Sequence, residues 1–522
     1  MMFPIGCADF EDIREDQYYY VDKTDLIYKL IKTGKNYFLS RPRRFGKSLL
    51  VSTIECLFEG KKDLFKGLYI EDKWDWSQKY PVVRLSMTGQ NHNPEKISEN
   101  IINQIKQIAK TAGLDLSEIA NESALLALSN LLFSLKEKTG KKAVVLVDEY
   151  DAPILDVLVN TELAKKNSNF LWKFYRQIKD SEEYIHFVFV TGITMFSRNS
   201  IFSGLNNLKN ISLVPRYATI CGYTDHDLDT VFAEEVKKLD REEIRLMYKG
   251  YGWLGEEKVY NPFCILNALD EQGYEEWWFE TATPQYLYEY LVRSNRINLK
   301  DIEGCWVDRS QLIAFEVNRA APQAIFFQSG YLTIVNKKRE NRRTKYLLEY
   351  PNLEVRNGAY YGLLQYLTGD FDKAKEQGDT LVDFLANNHF DEFKKTFHAF
   401  LASIPYENNK KADVEGYYSS IIQGMLHASG IKYNAEKSSA LGKCDLVIFH
   451  KNQVFVLEFK MQRPRQKADT ALKDAIQQIT DRHYADEYKQ LKQPIHLLAM
   501  VFNKKDRNIV GILHEELNGD TT

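Results

Sequence analysis

The chain has 522 residues, three to four times the common ~150-residue domain, so several packed units are expected and a single small module is excluded. With 44% hydrophobic and 13% aromatic residues, 31 Tyr and 29 Phe among them, it can bury more than one core, which excludes global disorder. The 69 basic and 72 acidic residues leave a formal net charge of -3, so any polyanionic partner must be sought in local charge.

In chain order, the opening MMFPIGCADFED has neither a basic n-region nor an apolar h-region, and no apolar run approaches the ~18 residues that span a bilayer. The expectation is a soluble, cytoplasmic protein with no membrane partner. Cysteines at 7, 56, 221, 264, 305 and 444 are scattered, with no CxxC pair, which fits a reducing compartment better than a disulfide or zinc framework.

The first 220 residues alternate short β-branched runs with amphipathic stretches. Asn36 to Ser40, Val82 to Ser86, Ala143 to Val147 and Phe187 to Thr191 read as strands of a parallel α/β sheet. From about 221 to 300 the strand runs give way to helical segments, punctuated by Gly250, Gly252, Gly255 and Asn261-Pro262, which predicts a helical lid. Ser329 to Val335 and Tyr346 to Tyr350 read as two strands joined by a charged turn, Asn336 to Lys345, closing a winged-helix-like unit that ends near 350. A helical connector is expected over 351–405. The remainder, 406–522, reads as a second α/β unit with strands Lys443 to His450, Val454 to Lys460 and Ile495 to Phe502, and a crossing helix over roughly 467–490.

Two places carry chemistry. In Tyr37-Phe-Leu-Ser-Arg-Pro-Arg-Arg-Phe-Gly-Lys-Ser48 an apolar strand runs into Gly46-Lys47-Ser48 and then into a helix. Phosphates need the N–H groups of a loop and a helix N-terminus, a Lys reaching the β and γ oxygens and a hydroxyl on Mg2+, and these residues supply them. This is the pattern of a P-loop NTPase sheet, departing from it only at Arg41, where the first Gly is wanted. The strand Ala143 to Val147 delivers Asp148 and Glu149 to the crest of the same sheet. Asp148 is expected to hold Mg2+ through water, beside the Ser48 hydroxyl, and Glu149 to polarise the attacking water at the γ-phosphate. Thr191 ends a further strand where a γ-phosphate would be sensed, and Arg43 and Arg44 either add to the phosphate-binding charge or pair with acids of a neighbouring domain. Arg198, seven residues on, reads as an ordinary surface arginine.

The second place is Gly442-Lys-Cys-Asp445-Leu-Val-Ile-Phe-His450, followed by Val454-Phe-Val-Leu-Glu458-Phe-Lys460. Side chains repeat every second residue along a strand, so Glu458 and Lys460 share a face, and a hairpin brings Asp445 to them. Paired carboxylates with a Lys suit Mg2+ or Mn2+ and a metal-bound water attacking phosphate. Glu415, opening the preceding helix, resembles the upstream acid of the PD-(D/E)XK arrangement, which implies a ligand set of Glu415, Asp445 and Glu458, with Gln478 to Tyr484 on the following helix. Lys337 to Lys345 places six basic residues among nine, and Lys451 to Lys467 five basic against one acidic; both suit phosphate. Tyr417, Tyr418, Tyr484 and Tyr488 read as core residues before base-stacking ones.

Taken together, Tyr20-Val-Asp-Lys-Thr24, Leu39 to Ser48, Val147-Asp-Glu-Tyr-Asp-Ala-Pro153, Ser203-Gly-Leu-Asn-Asn207, Tyr260-Asn-Pro262 and the Asp445…Glu458-x-Lys460 motif resemble the bacterial AAA-ATPase-like proteins that carry a C-terminal PD-(D/E)XK nuclease-like domain. The resemblance covers nearly the whole chain. It implies an ATP-binding core over 1–220, a lid with a winged-helix-like region over 221–350 and a restriction-endonuclease-like domain over 406–522, with Arg41 a family feature. The expectation is an ATP-binding and hydrolysing protein whose nucleotide state regulates a metal-dependent nuclease-like domain acting on DNA or RNA. The alternative is an ATP-dependent switch, assembling as a nucleotide-dependent homo-oligomer, whose C-terminal domain binds a partner or nucleic acid without cleaving it.

Overall fold

Apolar runs bounded by amphipathic stretches can bury themselves on both sides only in a parallel sheet covered by crossover helices. The computed structural model describes the chain apart from residues 90–92, 120–122, 159, 196–206, 279–286, 289–290, 292–301, 314–320, 406–414, 440–441 and 518–522. Its residues group into two units, Met1–Ala282 with Gly304–Val355, and Thr283–Glu303 with Arg356–Thr522.

In the first unit β1 (Asn36–Ser40), β2 (Val82–Ser86), β3 (Ala143–Asp148), β4 (Ile185–Gly192) and β5 (Lys209–Asn210) form one parallel sheet in the order β2-β3-β4-β1-β5. All six residues of β3 are buried, as is every residue of β4 except His186. The register pairs Ser40 with Gly192 and Ser86 with Asp148, so the carboxyl ends of the strands meet along one crest. Helices Lys47–Glu59, Pro94–Thr111, Ala124–Thr139 and Thr161–Asp180 make the crossovers.

Helices Asp225–Thr230, Ala233–Val236, Arg241–Tyr248 and Pro262–Glu271 follow. Asn261 caps the last of them, its side chain accepting from the Phe263 N–H at 2.9 Å, and Pro262 sits where no N–H is needed. Strands do not vanish here as expected: β6 (Lys249–Tyr251) and β7 (Val259–Tyr260) pair antiparallel. Next come β8 (Cys305–Asp308), β9 (Thr333–Glu340) and β10 (Arg343–Glu349), a sheet in the order β8-β10-β9. The expected charged turn over Asn336 to Lys345 is instead mostly strand. The reversal is confined to Asn341 and Arg342, both left-handed at φ 48° and 64°, which is the tight turn that matches strand twist.

The second unit holds a mixed sheet of β11 (Lys432–Ser439), β12 (Gly442–His450), β13 (Gln453–Met461), β14 (Ile495–Asn503) and β15 (Asn508–Leu517), paired in chain order and antiparallel except for β13 with β14. That parallel pair is joined by the helix Ala468–Asp481 and a short 3-10 turn, Asp486–Leu491, so the expected single helix to 490 ends early. Val447, Val456, Ala475, Ile479, Leu497 and Ala499 form the core beneath that helix. Tyr418, on the helix Glu415–Ala428, stacks on Phe502 at 3.9 Å, and Tyr417, Tyr484 and Tyr488 are buried too, which makes all four packing residues. Among the described residues no helix is long and apolar enough to cross a membrane.

Candidate nucleotide and metal sites

The loop after β1 turns into the helix Lys47–Glu59 through Gly46, whose φ of 81° is reached without strain only by glycine. A Cβ there would meet no atom within 4 Å, so the loop lies open in front of the helix N-terminus. Open N–H groups at the start of a thirteen-residue helix make an anion seat. A cavity of about 560 Å³ lies over it, bounded by Arg43 to Leu50, Thr53, Glu149 and Asp156. The far wall comes from Pro4 to Ala8, Tyr19 to Val21, Ile220 to Tyr223 and Leu266. Sequence reasoning found the phosphate end and missed this apolar wall, although Tyr20-Val-Asp-Lys-Thr24 had been singled out as a motif.

Lys47 is buried, and its ammonium donates to the Pro42 carbonyl at 2.9 Å within the loop. Arg43 faces Asp156 at 3.7 Å across the mouth, and the Arg44 guanidinium lies 4.8 Å above the Phe263 ring. Glu149 lines the cavity with φ at 51°, a conformation that costs a non-glycine residue about 1 kcal/mol or more and is held by its neighbours. Burial raises its carboxyl above the ordinary range, and the Lys47 ammonium opposes that.

Asp148 and Thr191 do not line the cavity. Both are buried, and the Thr191 hydroxyl donates to Asp148 Oδ1 at 2.6 Å, so Thr191 orients the acid. The next acid, Asp151, is fully buried and takes the N–H groups of Ile193 and Thr194 and the Thr194 hydroxyl. Tyr150 donates to the Thr194 carbonyl at 3.0 Å. The Val147-Asp-Glu-Tyr-Asp151 run thus sends Glu149 to the cavity and uses Tyr150 and Asp151 to fix the end of β4. Arg198 and residues 203–206 lie outside the described residues.

Arg41 takes no part in the anion seat. Its guanidinium is fully buried, donates to the carbonyls of Ser40, Ser212 and Tyr217, and lies 4.0 Å from the Trp253 ring. It ties β1 to the chain after β5.

In the second unit the site follows from where a strand ladder stops. The pairing of β12 with β13 runs from His450↔Gln453 to Leu446↔Leu457 and goes no further. The N–H groups of Phe459 and Met461 beyond it need partners. Asp445 Oδ2 takes the first at 2.8 Å, and Glu415 Oε1 takes the second at 2.8 Å. Glu458, 2% exposed, feels the charge of both; Lys460 donates to its Oε1 at 2.8 Å, and Gln478 from the following helix donates to the same oxygen. Burial, and next the charge on Asp445, push the Glu458 carboxyl upward.

Glu458 Oε2 is buried with no hydrogen-bond partner. An acceptor left bare among three carboxylates, with a Lys to balance charge, is a donor set that suits a hard divalent cation. Among the described residues no three His, Cys, Asp or Glu side chains are already drawn to metal-holding distance. Arg463, Arg465 and Lys467 follow β13 as exposed cations, while Lys451 pairs with Asp383 at 3.1 Å.

Residues 4–202 match the family model described as a predicted AAA-ATPase, and residues 413–511 match that of the PD-(D/E)XK nuclease superfamily. The chain is also similar to an uncharacterized protein in the vnfD 5′ region of Azotobacter chroococcum mcd 1, 40% identical over 520 residues, covering 98% of this chain and 99% of that protein.

Proposed function

Because this chain belongs to the AAA-ATPase-like proteins with a C-terminal PD-(D/E)XK nuclease-superfamily domain, we propose that it binds and hydrolyses ATP and that its nucleotide state regulates a metal-dependent nuclease-like domain acting on DNA or RNA. The observation that carries the reading is the cavity onto which the Gly46 loop, Lys47, Ser48 and Glu149 converge.

In this reading the loop N–H groups and Lys47 bind the phosphates, the Ser48 hydroxyl holds Mg2+ in the cavity, and Asp148, which does not line it and is kept in place by Thr191, acts on the ion through water. Glu149, raised by burial and set beside Lys47, orients the attacking water. In the second unit Glu415, Asp445 and Glu458 would hold Mg2+ or Mn2+, which supplies a Lewis acid and an activated water when bound. Lys460 neutralises charge beside Glu458, Gln478 fixes the rotamer of that carboxylate, and Arg463, Arg465 and Lys467 bind the nucleic-acid backbone.

Calorimetry with a non-hydrolysable ATP analogue and Mg2+ tests the first half. The wild-type chain binds the analogue, Lys47→Ala loses at least tenfold in affinity, and Glu149→Gln binds like wild type but, with ATP itself and phosphate release as the readout, turns over at least a hundredfold more slowly. Equal affinity in Lys47→Ala would refute the nucleotide site. A second reading, an ATP-dependent switch that holds a partner without cleaving it, is favoured by Asp445 and Glu415 each using an oxygen to accept a backbone N–H, of Phe459 and Met461 respectively. A nucleotide-dependent change in oligomeric size with no phosphodiester cleavage would select it.

A further inference from the structure

The arm formed by β9 and β10 lies outside both matched stretches and serves neither site. The two strands pair from Glu340↔Arg343 at the turn to Lys337↔Tyr346 and beyond. β8 pairs with β10 only from Lys345 to Leu348, so past Lys345 the arm is a free two-stranded ribbon carrying Arg339 and Arg342, with Lys337, opposite Tyr346, at its base on the edge strand β9. Residues 336–344 are all exposed, on both of its faces. Six of the nine residues from Lys337 to Lys345 are basic and one is acidic.

The charge is sorted by face. Alternation and register place Lys338, Glu340, Arg343 and Lys345 together. That face is largely compensated: Glu340 meets Lys345 at 2.6 Å and Lys338 at 3.9 Å, Arg343 meets Asp308 at 3.7 Å, and Lys338 lies 4.4 Å from the Trp306 ring. The opposite face carries Lys337 and Arg339, and the turn carries Arg342. These three have no acidic partner among the described residues. Like charges gathered on a narrow ribbon repel one another, and a bound polyanion relieves that repulsion.

We propose that this ribbon is a DNA-binding element of the first unit, seated in the major groove of duplex DNA with Lys337, Arg339 and Arg342 on phosphates. The strands of a ribbon lie about 4.8 Å apart, and the B-form major groove, about 12 Å wide, admits such a ribbon. The deep, narrow major groove of A-form RNA does not. The contact is independent of the carboxylate site, so duplex DNA is held whether or not the second unit cleaves it.

The test is fluorescence anisotropy with the full-length chain in EDTA, where no metal-dependent cleavage can occur, using duplex DNA and duplex RNA of equal length over a salt series. The triple substitution Lys337→Ser, Arg339→Ser, Arg342→Ser weakens duplex DNA binding at least tenfold and lowers the log-log salt slope by about 2 to 3. Duplex RNA binding changes less than about threefold. The same loss appears when Arg463, Arg465 and Lys467 are already replaced by Ser, which separates the ribbon from the second unit. The double substitution Lys338→Ser, Glu340→Ser, on the compensated face, leaves affinity within about threefold. An unchanged melting temperature confirms that these exposed changes leave the fold intact, and Arg342→Asp alone gives a second, turn-tolerated charge reversal expected to weaken DNA binding.

Triple-variant binding within threefold of wild type, an equal loss for duplex RNA, or a change in self-association instead of DNA affinity would overturn the proposal. Lost cleavage with DNA affinity retained would count against the nuclease reading and leave this one standing.

Discussion

Arg41 stands where a phosphate loop commonly has glycine, and its guanidinium satisfies three backbone carbonyls at once from a fully buried position. A planar fork does this and an ammonium does not. Arg41→Lys is therefore expected to destabilise the first unit by about 2–4 kcal/mol, because carbonyls are left bare around a buried point charge. Urea unfolding measures it, and a loss below about 0.5 kcal/mol would show that the three bonds are dispensable.

Glu354 is a second buried group with a measurable signature. It is 1% exposed and accepts the Trp278 N–H at 2.5 Å, and burial pushes its carboxyl up to about 8. The folded chain holds this proton more tightly than the unfolded chain, so the stabilising contribution is complete below about pH 4.5 and declines as pH rises towards 8. Glu354→Gln keeps an acceptor and removes the titration. Its unfolding free energy should match wild type at pH 5 and exceed it by on the order of 1–3 kcal/mol at pH 9. Parallel pH profiles for the two proteins would contradict this.

Among the elements, a tight turn sets the register of the β12–β13 hairpin as one does for β9–β10. Lys451 and Asn452 are left-handed at φ 46° and 59°, the reversal that fixes β12 against β13 and so places Asp445 opposite the end of the ladder. Asn452→Gly should raise stability by about 0.5–1 kcal/mol without altering the site, whereas Asn452→Val should lower it by more than 1 kcal/mol. Thermal melts of both variants decide the point.

The strands legible in the sequence were those whose burial is continuous. NYFLS, AVVLVD and IHLLAMVF announce themselves because both faces are covered. The missed strands are edges: β11 reads KYNAEKSS, β15 ends in HEEL, and β5 has two polar residues, so their pairing is dictated by a neighbouring strand. The charged run after Asn336 read as loop for the same reason, since a two-sided exposed ribbon has no apolar alternation to reveal it. The Glu458 and Lys460 juxtaposition was legible because period-two alternation alone demands it. What was not legible is that Thr191 serves Asp148 and that Arg41 serves the backbone, since both depend on register between strands far apart in the chain.

At the scale of the whole molecule, the proposed function assigns phosphate to two separate clusters, one around Lys47 and one around Glu458, with the first governing the second. Each lies inside a different compact unit. The measurement that reaches this most directly is the initial rate of phosphodiester cleavage by the full-length chain in Mn2+, with and without ATP, across wild type, Lys47→Ala and Asp445→Ala. ATP is predicted to change the wild-type rate at least fivefold, Lys47→Ala to cleave at one rate regardless of ATP, and Asp445→Ala to lose at least a hundredfold under both conditions. Cleavage by Asp445→Ala at the wild-type rate, or a wild-type rate indifferent to ATP, would contradict it.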